Sequence, residues 1–103
     1  MVESFHSECL LGDLDEVKSY LEELKNEGED VNIQNSDGET CLDLASTNGH
    51  VNVTQFLLAN NADCMCDLEG SVGNSCDNYG QCYCKDEFHG RQCGKYIKSN
   101  DKL

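Results

Sequence analysis

Apolar residues recur at helical spacing through the first part of the chain and then lose that spacing. In DLDEVKSYLEELK, Val17, Tyr20, Leu21 and Leu24 fall on one face of a 3.6-period helix. Asp13 stands where an N-cap is wanted, and Glu16, three residues on, completes a capping-box pattern. Upstream, Val2, Phe5 and Cys9 make a weaker helical stripe that stops at Gly12. The plan then repeats. Thr40 is a good N-cap with Asp43 three residues later, and Leu42, Leu44 and Ala45 can face inward before Gly49 breaks the helix. Val53, Phe56 and Leu57 mark a further helix that ends near Asn60 and Asn61, residues expected at such a terminus. The pattern predicts helix–turn–helix, loop, helix–turn–helix.

After Asp63 the pattern is set by cysteine. The spacing is C-x-C-x9-C-x5-C-x-C-x8-C through Cys64, Cys66, Cys76, Cys82, Cys84 and Cys93, with Gly70, Gly73, Gly80 and Gly90 between them. Leu68, Val72, Tyr79, Tyr83 and Phe88 are about all the apolar material available. That is too little for a core, so short loops pinned by cross-links fit the stretch. Zinc competes, because two C-x-C pairs could supply four thiolates. Two ligands in C-x-C crowd a tetrahedral metal, and disulfides are the preferred reading. Cys9 and Cys41, in the helical blocks, read as small core residues or free thiols.

The two helical blocks are copies. GDLDEVKSYL aligns with GHVNVTQFLL at an offset of 37 residues, and GEDVN with NADCM at an offset of 33. The four-residue difference is an insertion near Glu23–Asn26 that lengthens the first block's outer helix by about one turn. DGETCLDLASTNGHVNVTQFLLANNAD resembles an ankyrin repeat, whose unit is 33 residues. Asp37, Gly38 and Thr40 match its turn and helix start, Leu42 and Ala45 its inner helix, Gly49 and His50 its inter-helix turn, Leu57 and Leu58 its outer helix. Cys41 replaces the usual proline, Asp43 the usual histidine and Asn61 the usual glycine. The first block, from about Phe5 to Asn32, is a degenerate repeat that keeps Gly12, Asp13, Leu14, Val17, Leu21, Gly28, Asp30, Val31 and Asn32. The resemblance implies a binding protein: such repeats stack to bury a shared core and present their turns and inner helices to a partner.

The cysteine-rich segment resembles a laminin-type EGF-like module over residues 64–95. The match runs through Gly70–Ser71, Cys76–Asp77, Gly80–Gln81–Cys82, Cys84–Lys85 and Gly90–Arg91 before Cys93. In that family the first cysteine pairs with the third, the second with the fourth and the fifth with the sixth. The resemblance therefore implies Cys64–Cys76, Cys66–Cys82 and Cys84–Cys93. The seventh position falls at Tyr96, so the last loop of the module is missing or unbridged. The family's role is extracellular, structural or adhesive. No linker separates the two module types: Cys64 holds the ankyrin position of Val31 and is also the first EGF-like cysteine.

The expected organisation is thus two ankyrin-like repeats over residues 1–63, a truncated EGF-like module over 64–95 and a flexible tail over 96–103. The fold class is mainly α, with a small disulfide-rich module of little regular structure. The formal net charge is -13, and residues 1–63 hold 14 of the 20 acidic side chains against 2 basic ones. Such a surface repels nucleic-acid phosphates and favours a protein partner, a basic one if charge steers the choice. The partner expectation is a protein, with no nucleic acid, no membrane and no small molecule. No basic start followed by an apolar run reads as a signal peptide, and no apolar run reaches a membrane span.

The expected recognition face is the turn near Gln34–Glu39 with the inner helix from Cys41 to Asn48, and its protein-binding residues are Asp37, Glu39, Asp43, Thr47 and Asn48. No catalytic residue, metal ligand or cofactor site is expected. His6, His50 and His89 lack spacing to a nucleophile, and His50 is expected to bridge its own turn by a hydrogen bond. Asn52-Val53-Thr54 is a glycosylation sequon that matters only on secretion. The functional expectation is a non-catalytic binding or scaffold protein. The alternative is an extracellular structural element whose operative part is the EGF-like module, with the helices as a cap. Compartment divides the two readings: extracellular if the disulfides form, cytoplasmic if the ankyrin half dominates.

Overall fold

The computed structural model describes residues 2–96; the Val2 side chain of the first apolar stripe and residues 97–103 of the expected tail lie outside the described residues. The chain divides into two compact units, Met1–Asp63 and Cys64–Leu103.

The first unit holds α1 (Val2–Leu11), α2 (Leu14–Asn26), α3 (Cys41–Thr47) and α4 (Val51–Ala59). Each consecutive pair forms a hairpin, and the hairpins stack with α1 on α3 and α2 on α4. α2 is 13 residues long and α4 is 9, so the insertion does add about one turn. α3 opens on a full capping box, in which Thr40 Oγ1 accepts from the Asp43 N–H and the Asp43 carboxylate accepts from the Thr40 N–H. At α2 the box is only half made. Asp13 accepts from the Glu16 N–H, but its own N–H is taken by the Glu8 carbonyl, so Glu16 does not reciprocate. α1 runs so directly into α2 that its last carbonyls reach the donor first. α4 closes at Asn60, and Asn61 adopts φ 70°.

The core of this unit is one cluster drawn from all four helices, with Phe5, Val17, Leu21, Leu42, Val53 and Leu57 almost wholly buried. Each such side chain contributes about 1.5–3 kcal/mol relative to exposure. Two lysines join the outer helices. Lys18 Nζ lies 5.7 Å from the Phe56 ring centroid, and Lys25 Nζ donates to Asn60 Oδ1 at 3.0 Å. These are the only basic side chains in residues 1–63, and both serve the stacking of α2 on the second repeat.

The second unit holds two small antiparallel sheets, β1 (Ser71–Cys76) with β2 (Cys82–Cys84) and β3 (Phe88–His89) with β4 (Lys95–Tyr96). Disulfides join Cys64 to Cys76, Cys66 to Cys82 and Cys84 to Cys93, with Cα separations of 5.9, 5.9 and 5.1 Å. Leu68, Val72, Tyr79 and Tyr83 are exposed, so cross-links and hydrogen bonds hold the unit in place of an apolar core. The Arg91 guanidinium donates to the Gly80 and Cys64 carbonyls, and Gln81 Nε2 to the Gly90 carbonyl at 2.8 Å. Gly70 is buried where a Cβ would overlap the Cys93 carbonyl and the Phe88 ring, so no other residue fits there. Tyr96, assigned to the tail by sequence, is instead in β4. Its ring lies 5.0 Å from that of Phe88, and its hydroxyl bonds Glu87 Oε2 at 3.2 Å. That bond to a carboxylate raises the Tyr96 phenol above its ordinary value, because it favours the protonated form. A ring pair thus closes the module's end at the position where its family carries a further cysteine.

Candidate functional site: a groove on the inner helices

The first unit carries an open groove of about 540 Å³. α1 supplies His6, Ser7 and Leu10, the loop between α2 and α3 supplies Asn35, Asp37 and Glu39, and α3 with its C-cap supplies Leu44, Thr47 and Asn48. Four of the five residues expected to bind protein therefore lie together. The fifth, Asp43, lies outside the lining, because its carboxylate is drawn to the start of α3 by the Thr40 N–H and hydroxyl. Its part is to cap a helix.

Local hydrogen bonds shape the rim. Asn35 Oδ1 accepts from the Asp37 and Glu39 N–H groups, both at 2.9 Å, and the Asn35 N–H donates to the Glu39 carbonyl. This is an Asx-type turn, in which a side-chain amide imitates a backbone turn. It holds the two carboxylates out on one side of the groove. Three other polar side chains are engaged. His6 Nε2 meets the Ile33 carbonyl at 2.9 Å, Asn48 Nδ2 donates to the Leu44 carbonyl at 2.7 Å, and Thr47 Oγ1 donates to the Asp43 carbonyl. The Glu39 carboxylate has one long contact, 3.4 Å from Asn35 Nδ2. The Asp37 carboxylate is exposed and makes no hydrogen bond within the described residues. The floor is apolar, with Leu44 buried and Leu10 46 % exposed.

The first-repeat half of the groove was not foreseen. The repeat offset alone points to it: 37 residues before Thr47 stands Leu10, and 37 before Asp43 stands His6. His50 also departs from expectation. Its backbone N–H does bridge the turn, to the Ala45 carbonyl at 2.9 Å, but its imidazole does not: Nε2 meets the Leu10 carbonyl of the preceding repeat at 2.7 Å. In the sequon, Asn52 is exposed while the buried Thr54 hydroxyl donates to the His50 carbonyl at 2.9 Å.

Stacked helical hairpins with turns beside the inner helices define a repeat protein of the binding type. The family model for ankyrin repeats (many copies) matches residues 5–58, half of the chain, and the chain belongs to that family. The model for the laminin EGF domain matches residues 64–96. No curated protein and no solved structure matches the chain. Ankyrin repeats generally mediate protein–protein binding, laminin EGF domains have extracellular and adhesive roles, and both families are generally non-enzymatic.

Proposed function

We propose that the protein is a non-catalytic binding or scaffold protein whose groove between α1 and α3 takes a basic side chain of a protein partner. One observation carries this reading: the Asp37 carboxylate, without a hydrogen bond among the described residues, stands beside Glu39 on the rim of an apolar floor. An arginine or lysine fits both parts, its aliphatic stem along Leu10 and Leu44 and its charged end at the carboxylates. The surplus of acid in residues 1–63 would speed the encounter with such a partner at low salt.

The test uses a displayed peptide library panned against the full chain. Enrichment of arginine or lysine next to an apolar residue is expected. The double substitution Asp37→Lys and Glu39→Lys should weaken the selected peptides roughly 30-fold or more, because two attractions between exposed charges give way to two repulsions. Selected peptides without basic residues, or peptides indifferent to the double substitution, would refute the reading.

A second reading rests on the three disulfides. Cross-links of this kind persist in oxidising surroundings, and the second unit has no core to replace them. On that reading the chain works outside the cell as a structural or adhesive element. Finding the chain in a reducing compartment with its thiols free would exclude it.

A further inference from the structure

Cys9 and Cys41 have no part in the groove or in the disulfide framework, yet they stand against one another between the repeats. Both are unbridged, and both are 0 % exposed. Cys41 Sγ donates to the Phe5 carbonyl at 3.6 Å. In an α-helix that carbonyl receives the N–H of the residue four further on, which in α1 is Cys9. The Cys41 sulfur therefore lies on the turn of α1 that runs from Phe5 to Cys9. The Cys9 side chain, one helical turn along from Phe5, is close enough to raise the Cys41 thiol electrostatically. The same chain carries three disulfides, so oxidising chemistry that acts on the second unit also meets these thiols.

We propose that Cys9 and Cys41 are an oxidisable pair that closes into a disulfide between α1 and α3, joining the two repeats covalently. The oxidant is a small-molecule disulfide such as oxidised glutathione. One cysteine thiolate attacks it and releases one glutathione thiolate, leaving a mixed disulfide. The second cysteine thiolate attacks the protein sulfur of that adduct and releases the second glutathione. Two protein thiols lose two protons and two electrons, and one oxidant molecule becomes two thiols.

The fold gates the reaction. Burial pushes the Cys41 thiol far up, and the neighbouring Cys9 pushes it further the same way. The closed stack therefore offers no thiolate, and attack waits for α1 to lift from α3. Two repeats make a short stack, so such opening is low in cost. The bond, once made, holds shut the opening that admitted the oxidant.

The experiment uses the full chain with its three disulfides intact. It is incubated with oxidised glutathione in buffer and in mild urea, alkylated without reductant, and read by intact mass and peptide mapping. Both thiols should disappear together with the loss of two hydrogens. The Cys9 and Cys41 peptides should be linked, about tenfold faster in mild urea than in buffer, because opening limits the rate. The oxidised chain should melt roughly 5 °C or more above the reduced one. Cys9→Ser should instead accumulate a glutathione adduct on Cys41; if that variant fails to fold, the mapping of the unsubstituted chain decides alone. Stable adducts on the unsubstituted chain, links to the cysteines of residues 64–93, thiols that persist in mild urea, or an unchanged melting temperature would each overturn the proposal.

Discussion

Replacing Gly12 by alanine probes how the two repeats are joined. Gly12 closes α1 at φ 82°, and Gly49 closes α3 at the equivalent position with φ 73°. A side chain in this left-handed region costs about 1–2 kcal/mol at either site. Their surroundings differ. A Cβ on Gly49 meets nothing within 4 Å, whereas one on Gly12 would stand 2.5 Å from His50 Nδ1. Gly12→Ala must therefore displace the imidazole that bonds the Leu10 carbonyl, or move the backbone. Losing that bond adds about 0.5–1.5 kcal/mol, and residual crowding adds about 1 kcal/mol or more. Gly49→Ala should cost about 1–2 kcal/mol and Gly12→Ala about 3–4 kcal/mol.

Urea unfolding of the full chain, followed by far-ultraviolet circular dichroism, measures both, since the helices among the described residues all lie in residues 2–59. His50→Ala completes a double-mutant cycle. With the ring gone, Gly12→Ala should cost no more than Gly49→Ala. Equal costs for the two glycine variants, or no coupling between Gly12 and His50, would refute the account of His50 as the link between repeats.

Thr40→Ala removes the hydroxyl half of the α3 capping box, leaving the backbone N–H of residue 40 on the Asp43 carboxylate, and should lower stability by about 1–2 kcal/mol in the same assay, with Thr40→Ser close to the parent. Reducing the three disulfides should unfold residues 64–96 while the helical unit stays folded, because only the second unit lacks an apolar core. Hydrogen exchange should then show protection lost there and kept in α2 and α4. Added sodium chloride should raise the melting temperature, because Glu22, Glu23, Glu27, Glu29 and Asp30 are all exposed together and Lys25 beside them is bonded to Asn60. Salt screens such repulsion beyond about 10 Å at 0.1 M. The double variant Glu27→Gln, Glu29→Gln should rise less, and a parent that melts lower in salt would contradict the like-charge account.

What short-range chemistry controls is legible along the chain. Helical spacing, the Thr40–Asp43 pair and the break at Gly12 place α1 to α4, since each signal acts within about one turn of the chain. The 37-residue offset shows that the blocks are copies, and the cysteine spacing marks where helical pattern ends. Tertiary structure decided the rest. His50 reads as a turn residue, yet its partner is 40 residues back, on a helix brought there by stacking. Cys9 and Cys41 read as two isolated thiols, and only the packing of α1 on α3 makes them neighbours. The physical reason is the same in each case: a hydrogen bond or contact between repeats depends on how two hairpins register, and that register is set by the shared core from Phe5 to Leu57, which no local stretch of residues contains.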